Sequence, residues 1–282
     1  MSLTARRCIA LSAVLTGFLV LYSCSGPVPP QPGTPGFSFL AAKETFAAGD
    51  YMKTIEHLDD VLLKDTGEYA ARALPWSLIL TSGMAAGHME MADAYEKGSK
   101  LNKADPLPFR RQIDLNRGAA GRLVLQFADH FLAFNKLTMD SVPLAFGVPK
   151  GSAAEFPQLL KITTGIVPST ADVETAEQRA IERNVILAAS KAVGASEDTA
   201  KAAQLLAVPD AKVSRATFEL AMANSLFAMA HLYAPDKLYD PEKQGILYQR
   251  AQDALKNVPE SDDSKALTQK IVLARKQLPK KS

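Results

Sequence analysis

Residues 37–63 read FSFLAAKETFAAGDYMKTIEHLDDVLL, and they decide the fold. Phe39, Ala42 and Phe46 recur at spacings of three and four, which lays one apolar stripe along a helix. Gly49-Asp50 interrupts the run. Tyr51, Ile55, Leu58 and Leu62 resume it at i, i+4, i+7 and i+11, with Glu56 and Asp60 between them. Two short amphipathic helices joined at a glycine make a helical hairpin.

Working outward, a second pair is expected. Tyr69, Ala73, Trp76, Leu80 and Met84 form the next stripe, and Pro75 marks a helix start nearby. Ala85-Ala86-Gly87 is read as the turn, and Met91 to Tyr95 as the start of the partner helix. Farther on, Ala120, Val124, Phe127, Phe131 and Phe134 mark a strongly apolar helix entered after Asp105-Pro106 and Pro108. Pro143, Pro149, Gly151 and Pro157 suggest an irregular connection over residues 141–168. Pro168-Ser169-Thr170 opens a helix carrying Val173, Ala176, Ala180, Val185, Ala188 and Ala192, and Pro209-Asp210 opens one carrying Val213, Ala216, Leu220, Ala223, Phe227 and Ala230. Asp240-Pro241 starts another with proline at its first position, and Leu267, Ile271, Ala274 and Leu278 run along the last. Alternating strand patterns are absent, and abundant alanine suits helices packed closely together. The fold class expected is all-α.

Phe46-Ala47-Ala48-Gly49-Asp50-Tyr51, with Ile55 and Leu58 behind it, resembles the tetratricopeptide (TPR) hairpin, in which Gly-Asp-Tyr commonly opens a repeat's second helix. Gly49 and Gly87 stand 38 residues apart by their numbers, near the expected period of about 34. Ala254-Leu255 followed by Pro259 resembles the repeat's closing pattern. Thr54 replaces the usual small alanine, and Thr66 replaces the closing proline. The resemblance covers residues 37–100 and, more faintly, 241–278. It implies a right-handed superhelix of hairpins, an α-solenoid, and scaffold or adaptor work. The expected organisation is TPR-like hairpins over 37–140, the connection over 141–168, and a C-terminal helical region over 169–282.

The first 24 residues carry an address. Arg6 and Arg7 precede an apolar run from Cys8 to Leu21, broken only by Ser12, Thr16 and Gly17. The run is shorter than the roughly 20 apolar residues a membrane span needs. It ends in Leu21-Tyr22-Ser23-Cys24, which resembles the bacterial lipoprotein signal. That resemblance implies a signal peptide over 1–23 and lipid attachment at Cys24. It places the protein in the cell envelope, tied to a membrane, with the outer membrane facing the periplasm favoured over the inner. Residues 24–36 contain prolines at 27, 29, 30, 32 and 35, an extended tether rising about 3.1 Å per residue. Without Arg6 and Arg7 the 32 basic residues become 30, which balance the 30 acidic ones. No global field therefore recruits nucleic acid. Cys8 and Cys24 are the only cysteines, so residues 37–282 hold no disulfide, thiolate site or cysteine nucleophile.

No catalytic motif stands out. Gly147-Val148-Pro149-Lys150-Gly151-Ser152 has phosphate-loop residue types in the wrong order. His57, His88, His130 and His231 are too far apart to pair on one helix face, and His88-Met89-Glu90 reads as a polar turn. Asp59/Asp60 and Glu174/Glu177 read as solvated faces. No catalytic residue, metal ligand or cofactor is therefore nominated. The expectation is a non-enzymatic envelope lipoprotein that binds a protein partner; the alternative is a small-molecule-binding accessory lipoprotein of a transport system. Phe39, Phe46, Tyr51, Trp76, Met84 and Tyr95 are nominated to line a concave binding groove.

Overall fold

In the computed structural model, which describes residues 30–279, the Gly49-Asp50 pair closes one helix and opens the next. Helix α1 (Pro35–Ala48) is capped by Thr34, whose hydroxyl accepts from the Phe37 N–H. Gly49 adopts φ +83°, and the Gly49 and Asp50 amides bond back to the Phe46 and Thr45 carbonyls. This left-handed closure suits glycine, which has no Cβ to clash. The Asp50 carboxylate then accepts from Lys53 N–H and starts α2 (Tyr51–Lys64). The signal segment and Cys24 lie outside the described residues.

The next helix departs from expectation. α3 runs unbroken from Glu68 to Leu101, with Pro75 inside it and no turn at Ala85-Ala86-Gly87. Its start is set earlier, by Asp65, whose carboxylate accepts from the Gly67 and Ala70 amides. The remaining elements are α4 (Leu107–Asn135), strand β1 (Ser141–Pro143), α5 (Pro157–Thr163), α6 (Thr170–Ala192), α7 (Thr199–Leu206), strand β2 (Lys212–Ser214), α8 (Arg215–Ala230), a single 3₁₀ turn (His231–Tyr233), α9 (Pro241–Leu255) and α10 (Asp262–Lys276). The described residues are thus all-α, with one short antiparallel pair in which Val142 faces Val213.

Every residue from Ala73 to Ala85 is buried, because α3 is the axis of the molecule. It packs against α4 and α6 along most of its length, and also against α1, α2, α5 and α8. A helix that is apolar all round belongs inside a core. Thr81 and Ser82 fit there by bonding back to the Ser77 and Ile79 carbonyls. Gly83 and Gly87 let α6 approach: a methyl group at Gly83 would sit 2.5 Å from Val185 Cα, and one at Gly87 would sit 2.9 Å from Ile181 Cα. The glycine read as a turn is therefore a contact point inside a helix.

The connection over 141–168 contributes to the same core. Val142 and Leu144 are buried in it, and Phe146 stacks on Trp76 at 5.4 Å. One cluster of buried side chains extends from Phe39 to Ile271, so 37–140 and 169–282 share a core. A smaller cluster joins Tyr95, Phe109, Phe156 and Ile162 at the far end of α3. Two further expectations are corrected. The helix expected from Pro209-Asp210 begins at Arg215, capped by Ser214, because residues 212–214 pair with β1. Helices α5 and α7 were not anticipated, being seven and eight residues long.

At the end of α8, His231 lies edge-on to Phe227 at 5.1 Å and faces Tyr248 at 6.4 Å. Although the residue is exposed, desolvation on its ring side, helped by Lys237 and opposed by Asp236, lowers its pKa below the usual histidine value. The folded state therefore binds protons less readily than the unfolded chain. Stability is retained above the unfolded-state pKa of about 6.5 and falls as pH drops through it. Urea midpoints measured from pH 7.5 to 5.5 are expected to decline, and His231→Phe is expected to flatten that decline. An unchanged slope in the variant would assign the effect elsewhere.

Candidate functional site

The six side chains expected to line a groove are all at most 5% exposed. Phe46 packs edge-on against Trp76 at 4.6 Å, and Tyr95 packs against Phe109 at 6.3 Å. Phe39, Phe46, Trp76 and Tyr95 pack among neighbouring helices, whereas Tyr51 and Met84, though buried, border a depression they share with Glu174, Glu177 and Glu182 of α6. Tyr51 donates its hydroxyl to the Lys150 carbonyl, and burial together with Glu182 holds the phenol above its ordinary range. Burial pushes the Tyr95 phenol up to about 12. Both stay neutral at physiological pH. His88 is in mid-helix, with Nδ1 3.0 Å from Asn116 Oδ1, and not in a polar turn. Among the described residues no three His, Cys, Asp or Glu side chains are grouped to hold a metal ion.

A different set of residues comes together between α2, the start of α3 and the last turns of α4. They enclose a cleft of about 760 Å³. Each helix contributes one face by its own periodicity. Asp59, Leu62, Leu63 and Thr66 come from α2 and its exit, Ala70 and Leu74 from α3, and Gln126, His130, Ala133 and Leu137 from α4 and its exit. The walls are mostly aliphatic, and Leu63 stands 85% exposed at the mouth.

The polar groups gather at one end. Gln126 Nε2 donates to Asp59 Oδ2 at 2.7 Å. His130 Nε2 lies 3.1 Å from Asp59 Oδ1, but off the line of a hydrogen bond. Asp59 Oδ1 and His130 Nδ1 are therefore both buried without a hydrogen-bond partner among the protein's groups. Comparison with protein-family models, curated proteins and solved structures gave no match.

Buried polar atoms without partners cost about 1–3 kcal/mol each. Trp76 Nε1, Ser77 Oγ, Tyr95 OH, Arg117 Nε and Glu219 Oε2 share this state elsewhere in the described residues, so what distinguishes the cleft is its volume and aliphatic lining. Asp65 also borders the cleft, but its carboxylate is spent on the Gly67 and Ala70 amides, which hold it below the usual carboxylate range. Asp129 and Lys136 stand at the rim. The arrangement can hold a small molecule by its apolar body, with Asp59, Gln126 and His130 forming a polar end.

Asp59 and His130 were visible separately in the sequence, Asp59 as part of a solvated face and His130 beside an apolar stripe. Nothing local indicates that they meet. The available signal was the i, i+4 spacing of Gln126 and His130 on a face otherwise occupied by Ala133 and Leu137.

Proposed function

We propose that the protein is a non-enzymatic lipoprotein of the bacterial cell envelope, anchored through Cys24, that binds a small apolar molecule in the α2–α3–α4 cleft. The observation that carries this reading is the cleft itself: about 760 Å³, mostly aliphatic walls, and a polar end where Asp59, Gln126 and His130 converge. Ligand sites commonly have this composition, an apolar body with a few convergent polar groups. The ligand is a hydroxyl- or amine-bearing molecule with an aliphatic or aromatic body, and accessory work for a transport system suits such a binder.

Native mass spectrometry of protein released gently from membranes tests it. A non-covalent adduct of a few hundred daltons is expected on the native chain and absent from Ala133→Trp, which fills the cleft. Adding the released molecule back at about 100 times its Kd should raise unfolding stability by about 2.7 kcal/mol. Protein that emerges adduct-free, and whose stability no envelope extract raises, would rule the cleft out as a ligand site. The same spectra report the anchor, as a lipid-sized mass on a chain beginning at Cys24 and lost in Cys24→Ala.

An adaptor that binds another envelope protein is a second reading. It is supported by the TPR-like α1–α2 hairpin, whose outer side exposes Phe37, Leu40 and Met52. Crosslinking from Met52 to one reproducible protein would favour it.

A further inference from the structure

At the far end of α3, two loops are pinned together. Asn102, just past α3, donates its side-chain amide to the Gly165 carbonyl at 3.0 Å. Gly165 takes φ +82°, and a methyl there would press on Leu101 Cβ at 3.1 Å. Leu107 and Pro168 border the same shallow depression. The outcome is an aliphatic tip made of Leu101, Leu107, Leu160, Ile166 and Val167, each between 42% and 72% exposed. Apolar area gathered at one end in this way marks a contact surface, whereas single exposed leucines do not.

The tip is ringed by cations. Lys97, Lys103, Arg110 and Arg111 are exposed and form no ion pair among the described residues. Lys100 pairs with Glu96, and Lys161 pairs loosely with Asp172. The α3–α4 loop sets Asp105 against them and the start of α4 sets Asp114, both exposed, so the unpaired cations still outnumber the acids. The whole mature chain is near neutral, so this is a local concentration of positive charge.

We propose that this tip is a membrane-contact surface, which seats its aliphatic side chains among the headgroups of an anionic lipid surface while the ring of Lys and Arg meets their phosphates. Aliphatic residues beside cations is the composition of elements that lie in a bilayer interface. A second copy fits less well, because a two-fold contact would set the four cations of one tip against those of the other. Among the described residues no helix is long and apolar enough to cross a membrane, so the contact is peripheral.

The mature chain carrying Cys24→Ala removes any acyl contribution, and vesicle flotation reads the tip alone. Binding to vesicles rich in phosphatidylglycerol is expected to exceed binding to phosphatidylcholine vesicles at least about tenfold, and to weaken at high salt. Leu107→Glu/Ile166→Glu should lose at least about tenfold of that binding, with far-UV circular dichroism unchanged. Lys103→Glu/Arg110→Glu, at exposed positions, should lose it too. A parent chain that ignores anionic vesicles, or tip variants that bind like the parent, would overturn the proposal. Self-association abolished by Leu107→Glu/Ile166→Glu, without vesicle binding, would overturn it in favour of a second copy. The cleft adduct is read as a mass change lost in Ala133→Trp and the tip by flotation of the unacylated chain, so either result can fail alone.

Discussion

Gly83→Leu is expected to prevent folding, and Gly83→Ala to lower stability by about 1–3 kcal/mol, although alanine is the better helix former by about 1 kcal/mol. The reason is the crossing of α3 and α6. A methyl at Gly83 meets Val185 Cα at 2.5 Å, Val185 N at 2.8 Å and the Asn184 carbonyl at 2.9 Å. All three are backbone atoms, so no side chain can swing aside and the helices must part. Gly87, one turn on, meets the Ala180 carbonyl at 2.9 Å, so both contacts would be strained together. Gly118 in α4 is the control: a methyl there meets only Arg122 Nη1, at 3.9 Å. Gly118→Ala should therefore stabilise by about 0.5–1 kcal/mol. Urea unfolding of the two alanine variants should show opposite signs; equal signs would mean that the α3–α6 crossing relaxes freely.

The second large effect is expected at Arg215. Glu219 is 1% exposed, and Arg215 Nε donates to its Oε1 at 2.6 Å. The same guanidinium donates to the Leu137 carbonyl at the end of α4 and lies 5.1 Å from the centre of the Phe134 ring. Arg215→Ala would leave a buried carboxylate without its counter-charge and free the Leu137 carbonyl, at a cost of about 3–5 kcal/mol. Glu219 Oε2 already lacks a partner, so the pair is incompletely satisfied. Replacing both residues, as Arg215→Met/Glu219→Leu, should recover most of the loss. A double variant as unstable as Arg215→Ala would show that the guanidinium acts mainly through Leu137 and Phe134. Chemical denaturation of the three chains separates these outcomes.

Helix identity was legible wherever its cause is local. Ser169 caps α6 and Asp240 caps α9, each through its side chain and the amide three residues on, and both starts could be read directly. The Gly49-Asp50 junction was legible for the same reason. Gly87 was misread because glycine at a turn and glycine at a helix crossing look alike until α6 is in place. Residues 212–214 were misread because their partner strand lies some seventy positions earlier, and a three-residue pairing leaves no periodic trace. The spacing of Met84, Met91, Tyr95, Phe127, Phe131 and Phe134 reads as core, and all six are buried; only their use as a concave groove depends on packing that no local spacing states. The cleft depends on residues 59 and 130 meeting across two helices, and only the packed chain states that.

α3 also orders the birth of the molecule. Its buried faces are completed by α1 and α2 before it, but by α4, α6 and α8 after it. A chain made from its N-terminus therefore carries the apolar Ala73–Ala85 segment incompletely covered until Ala230 has emerged. At about 5–20 residues per second this interval lasts many seconds, long enough for collisions between nascent chains. With no cysteine beyond residue 24, no disulfide can lock a partial structure during the wait. The exposed α3 segment is therefore the part of the nascent chain most open to aggregation until the last of its partners arrives.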